Sequence, residues 1–194
     1  MMALFNYNRA MDQYKVSIIE KSARIATLAH NDQMRKDGNV PYIVHPFMVA
    51  LKLQKYDFGE ETIAAALCHD VLEDTDYPPD QLRTNIGEKA YKIVKTVSYN
   101  YSLEWHDRKM AYIESVRKGP IGAKAVCVAD KIHNLESIFI AYEVQGPALW
   151  NKFNKGKEDK LWFEESVLKM LKVTWDHPLI KEYESLIKKE KSLK

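Results

Sequence analysis

The chain has 194 residues, of which 46% are hydrophobic, and its formal net charge is +2 at pH 7. This near-neutral balance predicts neither a nucleic-acid-binding protein nor a membrane-surface protein, and no apolar run approaches the roughly 20 residues of a membrane span. The start of the chain lacks the apolar stretch of a signal peptide, and Cys68 and Cys127 both lie in apolar sequence. We therefore expect a cytoplasmic protein with one sizeable core and two free, buried thiols.

Apolar residues recur at helical spacing along most of the chain and predict seven to nine α-helices. The predicted helices cover about residues 11–31, 45–53, 61–75, 87–97, 103–116, 121–142 and 161–171, and one more follows Pro178. Pro78-Pro79 is expected to stop the third helix, and Val126–Val128 would tolerate a strand, but the length of the surrounding pattern favours a helix. The sequence predicts an all-α single domain, with a core over residues 1–150 and a helical appendage over residues 151–194 packed on it.

One stretch of the third helix, Ala66–Thr75 (ALCHDVLEDT), concentrates groups that can bind a metal. In a continuous helix His69, Asp70, Glu73 and Asp74 lie on one broad face, where their charges repel each other unless a cation lies among them. Apolar residues precede the group, so we predict a buried, metal-loaded helix end.

Residues from two other predicted helices can complete a metal site. His45 opens the second helix, and Asp130 follows the apolar run of residues 121–129. Together with His69 and Asp70 they give two imidazoles and two carboxylates. Such a mixed set suits a divalent first-row metal better than calcium or a thiolate-held zinc, and it leaves positions open for water and substrate.

At these residues the chain resembles a known family. The order His45, His69-Asp70, Asp130 is similar to the H…HD…D signature of HD-superfamily metal-dependent phosphohydrolases. Longer motifs resemble the (p)ppGpp hydrolase domain of RelA/SpoT proteins and small alarmone hydrolases over about residues 23–137. These motifs are Arg35-Lys36-x-Gly38, Pro41-Tyr42-Ile43-x-His45-Pro46, His69-Asp70-Val71-Leu72-Glu73-Asp74-Thr75 and Ala129-Asp130-Lys131-Ile132-His133-Asn134.

The resemblance implies an HD-domain helical bundle and a function for each motif. It implies that the metal is manganese, the typical metal of this family, and that the reaction removes the 3′-pyrophosphate of ppGpp or pppGpp. The implied metal ligands are His45, His69, Asp70 and Asp130, and the implied catalytic carboxylates are Glu73 and Asp74. The implied substrate-binding residues are Arg35, Lys36, Tyr42, Lys131 and Asn134.

Some alternatives stay open at this point. The substrate could be another nucleotide, such as a (p)ppApp-like molecule, NADPH or a nucleoside monophosphate, or the protein could be a non-catalytic nucleotide sensor. His133 is expected to have a structural or supporting role. Four lysines of residues 151–160, namely Lys152, Lys155, Lys157 and Lys160, are expected to be solvated, with a phosphate contact as the alternative. The sequence does not determine the oligomeric state.

Overall fold

The structure, a computed structural model, describes residues 14–35, 40–153 and 155–194. Apart from an isolated β-bridge between Met34 and Pro41, these residues form only helices, turns and loops. The helices are α1 (Ile18–Ala29), α2 (Val44–Gln54), α3 (Glu60–Cys68), α4 (Val71–Asp74), α5 (Pro79–Val97), α6 (Trp105–Lys118), α7 (Ile121–Gln145), a 3₁₀ helix (Gly146–Lys152), α8 (Gly156–Thr174) and α9 (Pro178–Ser192). The predicted all-α fold is confirmed.

Helix α3 lies at the centre of the molecule. Its residues from Ile63 to Cys68 are all buried, and it packs against α1, α2, α5 and α7. Because Ala64, Ala65 and Ala66 have small side chains, neighbouring helices can approach it from several sides, as is usual for a helix that is apolar all round. The end of this helix is therefore fixed within the core.

Helices α2 and α7 flank α3 and pack against each other. Pro46 lies in the first turn of α2, where its missing N–H would have no partner within the helix. Helix α7 is buried from Ala123 to Ile132, and the segment that would tolerate a strand, Val126–Val128, is helical within it. These two helices bring distant parts of the sequence beside the end of α3.

The start of helix α5 differs from the predicted one. Helix α5 begins at Pro79, which occupies a first-turn position, and it includes Gly87 as a kink with φ 77° and ψ 162°. The sequence pattern places a boundary at Gly87, because glycine readily adopts such a conformation, but it does not indicate the helical turns before it.

The C-terminal helices belong to the same buried cluster as α3. Helix α9 packs against α7 and α8, and its Leu179 and Tyr183 are fully buried. The division into a core over residues 1–150 and an appendage over residues 151–194 stays a prediction. Within the described ranges, no helix is both long and apolar enough to cross a membrane.

Candidate functional site

The central motif occupies a break between two helices. Helix α3 ends at Cys68, His69 and Asp70 form a turn, and α4 begins at Val71. The carbonyl oxygen of Asp70 accepts hydrogen bonds from the backbone N–H groups of Glu73 (3.1 Å) and Asp74 (2.9 Å), so α4 starts anew from Asp70. The continuous helix expected from the sequence is interrupted at His69 and Asp70, just before the acidic pair of Glu73 and Asp74.

The four predicted metal ligands come together from three places in the fold. His45 comes from α2, His69 and Asp70 from the break after α3, and Asp130 from α7. His45 Nε2 lies 3.1 Å from Asp130 Oδ1 and 3.6 Å from Asp70 Oδ2. His69 Nε2 lies 3.0 Å from Asp70 Oδ2 and 3.8 Å from Asp130 Oδ1. Both imidazoles and the Asp130 carboxylate are buried.

The spacing of these donors fits one divalent cation. Metal–ligand bonds of about 2.1 Å place neighbouring donors of an octahedron about 3 Å apart and opposite donors about 4.2 Å apart. The ligand atoms of His45, His69 and Asp70 all lie within 4.8 Å of one another. His69 Nε2 is buried without a well-directed hydrogen-bond partner, although it faces Asp70 Oδ2. A cation between these atoms would satisfy this nitrogen.

The electrostatics of the cluster also favour positive charge. Burial alone would raise the pKa of Asp70, but His69 and His45 hold this pKa below its usual range. Burial likewise opposes ionisation of Asp130, whereas Lys131 and His45 hold its pKa well below the usual range. The two carboxylates in turn raise the pKa of His69 despite its burial. Lys131 supplies one positive charge beside the buried Asp130 carboxylate, and a divalent metal would supply further positive charge to Asp130 and the half-buried Asp70.

Three of the predicted substrate-binding residues contact the ligand carboxylates. The Tyr42 hydroxyl donates to Asp70 Oδ2 at 2.6 Å. Lys131 Nζ lies 2.8 Å from Asp130 Oδ2, and Asn134 Nδ2 donates to Asp130 Oδ1 at 2.5 Å. These contacts hold the carboxylates in place and leave the substrate-binding role of the three residues a prediction.

Arg35 lies beside the same group, while Lys36 and Gly38 lie outside the described residues. The Arg35 guanidinium donates to Asn134 Oδ1 at 3.0 Å and to Ser137 Oγ at 3.4 Å. It also lies over the ring of Tyr42, 5.6 Å from its centroid. Arg35 is thus fixed above the residues that hold the predicted metal ligands.

The acidic pair is divided between two environments. Asp74 is exposed and accepts a hydrogen bond from Tyr42, while Gln33 Nε2 donates to its backbone oxygen. Glu73 turns toward the segment between α5 and α6, where Tyr99 N (3.0 Å) and Tyr101 Oη (3.1 Å) donate to its carboxylate. Burial and the negative charge of Asp70 raise the pKa of Glu73 to about 7. A carboxyl group in that range can both accept and donate a proton near neutral pH.

A cavity of about 920 Å³ opens beside the cluster. Its lining includes Tyr42, Asp74, Lys131 and Asn134. Seven lysine and arginine side chains line it in all, against two carboxylates. The basic residues are Arg35, Arg108, Lys109, Lys131, Lys152, Lys155 and Lys160. The strong excess of positive charge makes the cavity suitable for an anionic ligand with several charges.

Sequence reasoning missed part of this lining. Arg108 and Lys109 project from α6, and Tyr99, Tyr101 and Phe163 form aromatic walls around them. Lys109 Nζ lies 3.8 Å from the ring centroid of Tyr99 and 4.4 Å from that of Phe163. Burial and the charges of Lys131 and Arg108 lower its pKa to about 7. The available signal was an adjacent arginine–lysine pair like Arg35-Lys36, but Arg117-Lys118 on the same helix has the same pattern and does not line the cavity.

The lysine-rich segment before and within α8 also contributes. Lys152, Lys155 and Lys160 line the cavity, whereas Lys157 donates to the backbone oxygen of Leu193. Lys160 additionally pairs with two buried carboxylates, Glu164 and Glu190. Lys152 and Lys155 are exposed and line the cavity, so solvation and a phosphate contact both stay predictions for them.

Known proteins resemble this chain over much of its length. A family model described as "HD domain" matches residues 22–151. A protein of Haemophilus influenzae named guanosine-3′,5′-bis(diphosphate) 3′-pyrophosphohydrolase is 36% identical over 120 residues, which are 59% of this chain and 18% of that protein. The Homo sapiens protein of the same name, MESH1, is 34% identical over 122 residues, which are 61% of this chain and 68% of that protein.

A solved structure shows the same architecture. It is that of a metazoan orthologue of SpoT, described as hydrolysing ppGpp, and it aligns with a TM-score of 0.75 and 27% identity. The alignment covers 89% of this chain and 95% of the orthologue. By contrast, the chain spans about a fifth of the length of the bacterial relative.

Proposed function

The chain belongs to the HD-domain family, and from this premise we propose that it is a metal-dependent hydrolase that removes the 3′-pyrophosphate from ppGpp or pppGpp. The products are GDP or GTP and pyrophosphate. The names of the bacterial and human relatives and the description of the metazoan SpoT orthologue support this substrate class.

The observation that carries the proposal is the cationic cavity next to the cluster of histidines and aspartates. (p)ppGpp bears phosphate groups at the 5′ and 3′ positions of its ribose. The cavity has basic side chains from several separate elements, among them Arg35, Arg108 and Lys155. Phosphates bound to these side chains would be held beside Asp70 and Asp130. A neutral or singly charged substrate would not need so many cations.

We assign the divalent cation to His45, His69, Asp70 and Asp130, and we take manganese as its identity. A cation bound there would act as a Lewis acid on the phosphoryl group and would lower the pKa of a water molecule. Tyr42, Lys131 and Asn134 hold the carboxylates of this set through the hydrogen bonds described above. Their second role is contact with the nucleotide.

Glu73 and Asp74 move the protons of the reaction. A water oxygen forms a bond to the phosphorus attached to the ribose, the bond from this phosphorus to the ribose 3′ oxygen breaks, and that oxygen receives a proton. Asp74, which lines the cavity, is placed to orient the water. Glu73, whose pKa is about 7, is suited to exchange the proton near neutral pH.

The phosphates bind to two arginine–lysine pairs. Arg35, with Lys36 next to it in the sequence, approaches from the segment after α1, and Arg108 with Lys109 approaches from α6. Arginine can contact a phosphate through two parallel hydrogen bonds, and lysine supplies a compact charge. The lysines of the segment around residue 155 add further positive charge.

A substrate panel tests the proposal. Purified protein with Mn²⁺ is incubated with ppGpp, pppGpp, ppApp, NADPH and nucleoside monophosphates, and products are separated by anion-exchange chromatography. We expect GDP and pyrophosphate in equal amounts from ppGpp, and no reaction in an Asp70→Ala variant. Rapid turnover of another nucleotide without release of pyrophosphate from ppGpp would assign the enzyme to that nucleotide. Binding of ppGpp without turnover of any compound would instead indicate a sensor.

A further inference from the structure

The imidazoles of His45 and His133 contact each other between α2 and α7. Their Nδ1 atoms lie 2.7 Å apart, and their ring centroids lie 4.9 Å apart with an interplanar angle of 33°. His45 is buried and His133 is half-buried. His133 contacts Nδ1 of His45, whereas Nε2 of the same ring faces Asp70 and Asp130, so the contact lies on the side of His45 away from the two carboxylates.

The contact constrains where the protons lie. Two imidazole nitrogens 2.7 Å apart form a hydrogen bond only if one carries a proton and the other does not. His45 Nε2 faces Asp130 and Asp70, and it must be unprotonated to bind a metal. The neutral His45 ring then carries its proton on Nδ1 and donates it to Nδ1 of a neutral His133.

The second histidine ligand is oriented in a different way. His69 Nδ1 lies 2.8 Å from the backbone oxygen of Ala66, one turn earlier. A carbonyl oxygen can only accept, so the backbone itself places the His69 proton on Nδ1 and leaves Nε2 free. His45 instead depends on a side chain, which can be changed by mutation without altering the backbone.

We propose that His133 is a positioning residue that holds His45 in the tautomer and ring orientation required to present Nε2 to the divalent cation. This inference rests on the metal centre of the proposed function. Removal of a hydrogen-bond partner behind a metal-binding histidine typically weakens metal affinity by about 10–100-fold. The expected effect is therefore on cation binding, before any substrate is present.

Two nearly isosteric variants test this role. The Asn side chain can place its oxygen close to the position of His133 Nδ1, whereas Leu has the same branching and no acceptor. Binding of Mn²⁺ is measured by the loss of the free-ion electron paramagnetic resonance signal during titration. We expect the dissociation constant to rise about 10–100-fold in His133→Leu and to stay within about threefold of wild type in His133→Asn. His106→Leu, at an exposed histidine outside the cluster, is the control and is expected to bind Mn²⁺ as the wild type does.

The outcomes separate this role from the metal centre itself. If wild type and His133→Leu bind one Mn²⁺ with equal affinity, or if Leu and Asn variants lose affinity equally, the positioning role is overturned while the metal centre stands. If the wild type binds neither Mn²⁺ nor Fe²⁺ nor Zn²⁺, the proposed metal centre fails, and the role of His133 fails with it. Thermal unfolding of the metal-free variants is recorded alongside, and we expect melting temperatures similar to that of the wild type.

Discussion

Each predicted metal ligand is held by a partner outside the ligand set. Tyr42 donates to Asp70, Lys131 and Asn134 contact Asp130, the Ala66 carbonyl fixes His69, and His133 contacts His45. Such contacts restrict the ligand side chains before a metal binds, so less conformational entropy is lost on binding. They also keep the donor atoms close to the geometry that coordination requires. The surrounding residues therefore order the predicted ligand set before any cation binds.

Glu73 provides a residue-level test of the proposed chemistry. The Glu73→Gln substitution keeps the shape of the side chain and an acceptor for the Tyr99 N–H, but it removes the group that can exchange a proton. We expect kcat for ppGpp to fall by about a hundredfold or more, with the Mn²⁺ dissociation constant unchanged. Glu61→Gln removes a negative charge on α3 outside the cluster. It serves as the control and is expected to keep the kcat of the wild type. An unchanged kcat would exclude Glu73 from the proton transfer.

Lys109 connects substrate affinity with pH. Its pKa is lowered to about 7, so the fraction that is charged falls as the pH rises through 7. A bound phosphate favours the charged form, and the affinity must therefore decrease over the same range. For the wild type we expect KM for ppGpp to increase between pH 7 and 8.5, by at most tenfold per pH unit.

Two substitutions separate the charge of Lys109 from the titration of the substrate. In Lys109→Arg the side chain stays charged at every pH between 7 and 8.5. The part of the increase in KM that comes from loss of charge at residue 109 should therefore disappear. In Lys109→Met the KM at pH 7 should rise by about tenfold, because a charge-assisted contact to phosphate is lost. Steady-state kinetics of the three proteins measure this. Identical pH profiles for wild type and Lys109→Arg would contradict the assignment.

At the scale of helices, periodicity predicted the elements well and their ends less well. The patterns at residues 121–142 and 161–171 correspond to α7 and α8. A long apolar repeat at helical spacing buries its apolar side chains together only when the segment is a helix. The break at His69-Asp70 was not predictable in this way. Both residues keep backbone angles near the α-helical region, and no glycine or proline marks the interruption in the sequence.

The candidate site likewise has a part that the sequence predicts and a part that it does not. The proximity of His45, His69, Asp70 and Asp130 could be predicted because short motifs placed histidine and aspartate in a recognisable order, and their role as metal ligands stays a prediction. Arg108 and Lys109 belong to no such motif, and they reach the cavity only because α6 packs against α8, which supplies Phe163. Contacts of this kind depend on helix packing between distant segments, which the helical period of a single sequence does not contain.

For the whole molecule, the ligand set connects elements that are far apart in sequence. The four predicted donors lie in or next to α2, α3, α4 and α7, namely His45, His69, Asp70 and Asp130, so they come together only in the folded chain. In the absence of a metal ion, the repulsion between the half-buried Asp70 carboxylate and the buried Asp130 carboxylate opposes this packing. Metal binding and folding are therefore expected to be coupled.

This coupling predicts that Mn²⁺ stabilises the native protein. A ligand that binds only the folded state at a concentration of about 100 times its dissociation constant adds about 2.7 kcal/mol. In a chain of this size that corresponds to an increase in Tm of about 5–10 °C. Differential scanning calorimetry should show the increase with Mn²⁺ and its reversal by EDTA. Asp70→Ala should show no Mn²⁺-dependent increase, whereas Glu61→Ala should retain it in full. An equal increase in Asp70→Ala would mean that the stabilising cation binds somewhere other than the cluster of His45, His69, Asp70 and Asp130.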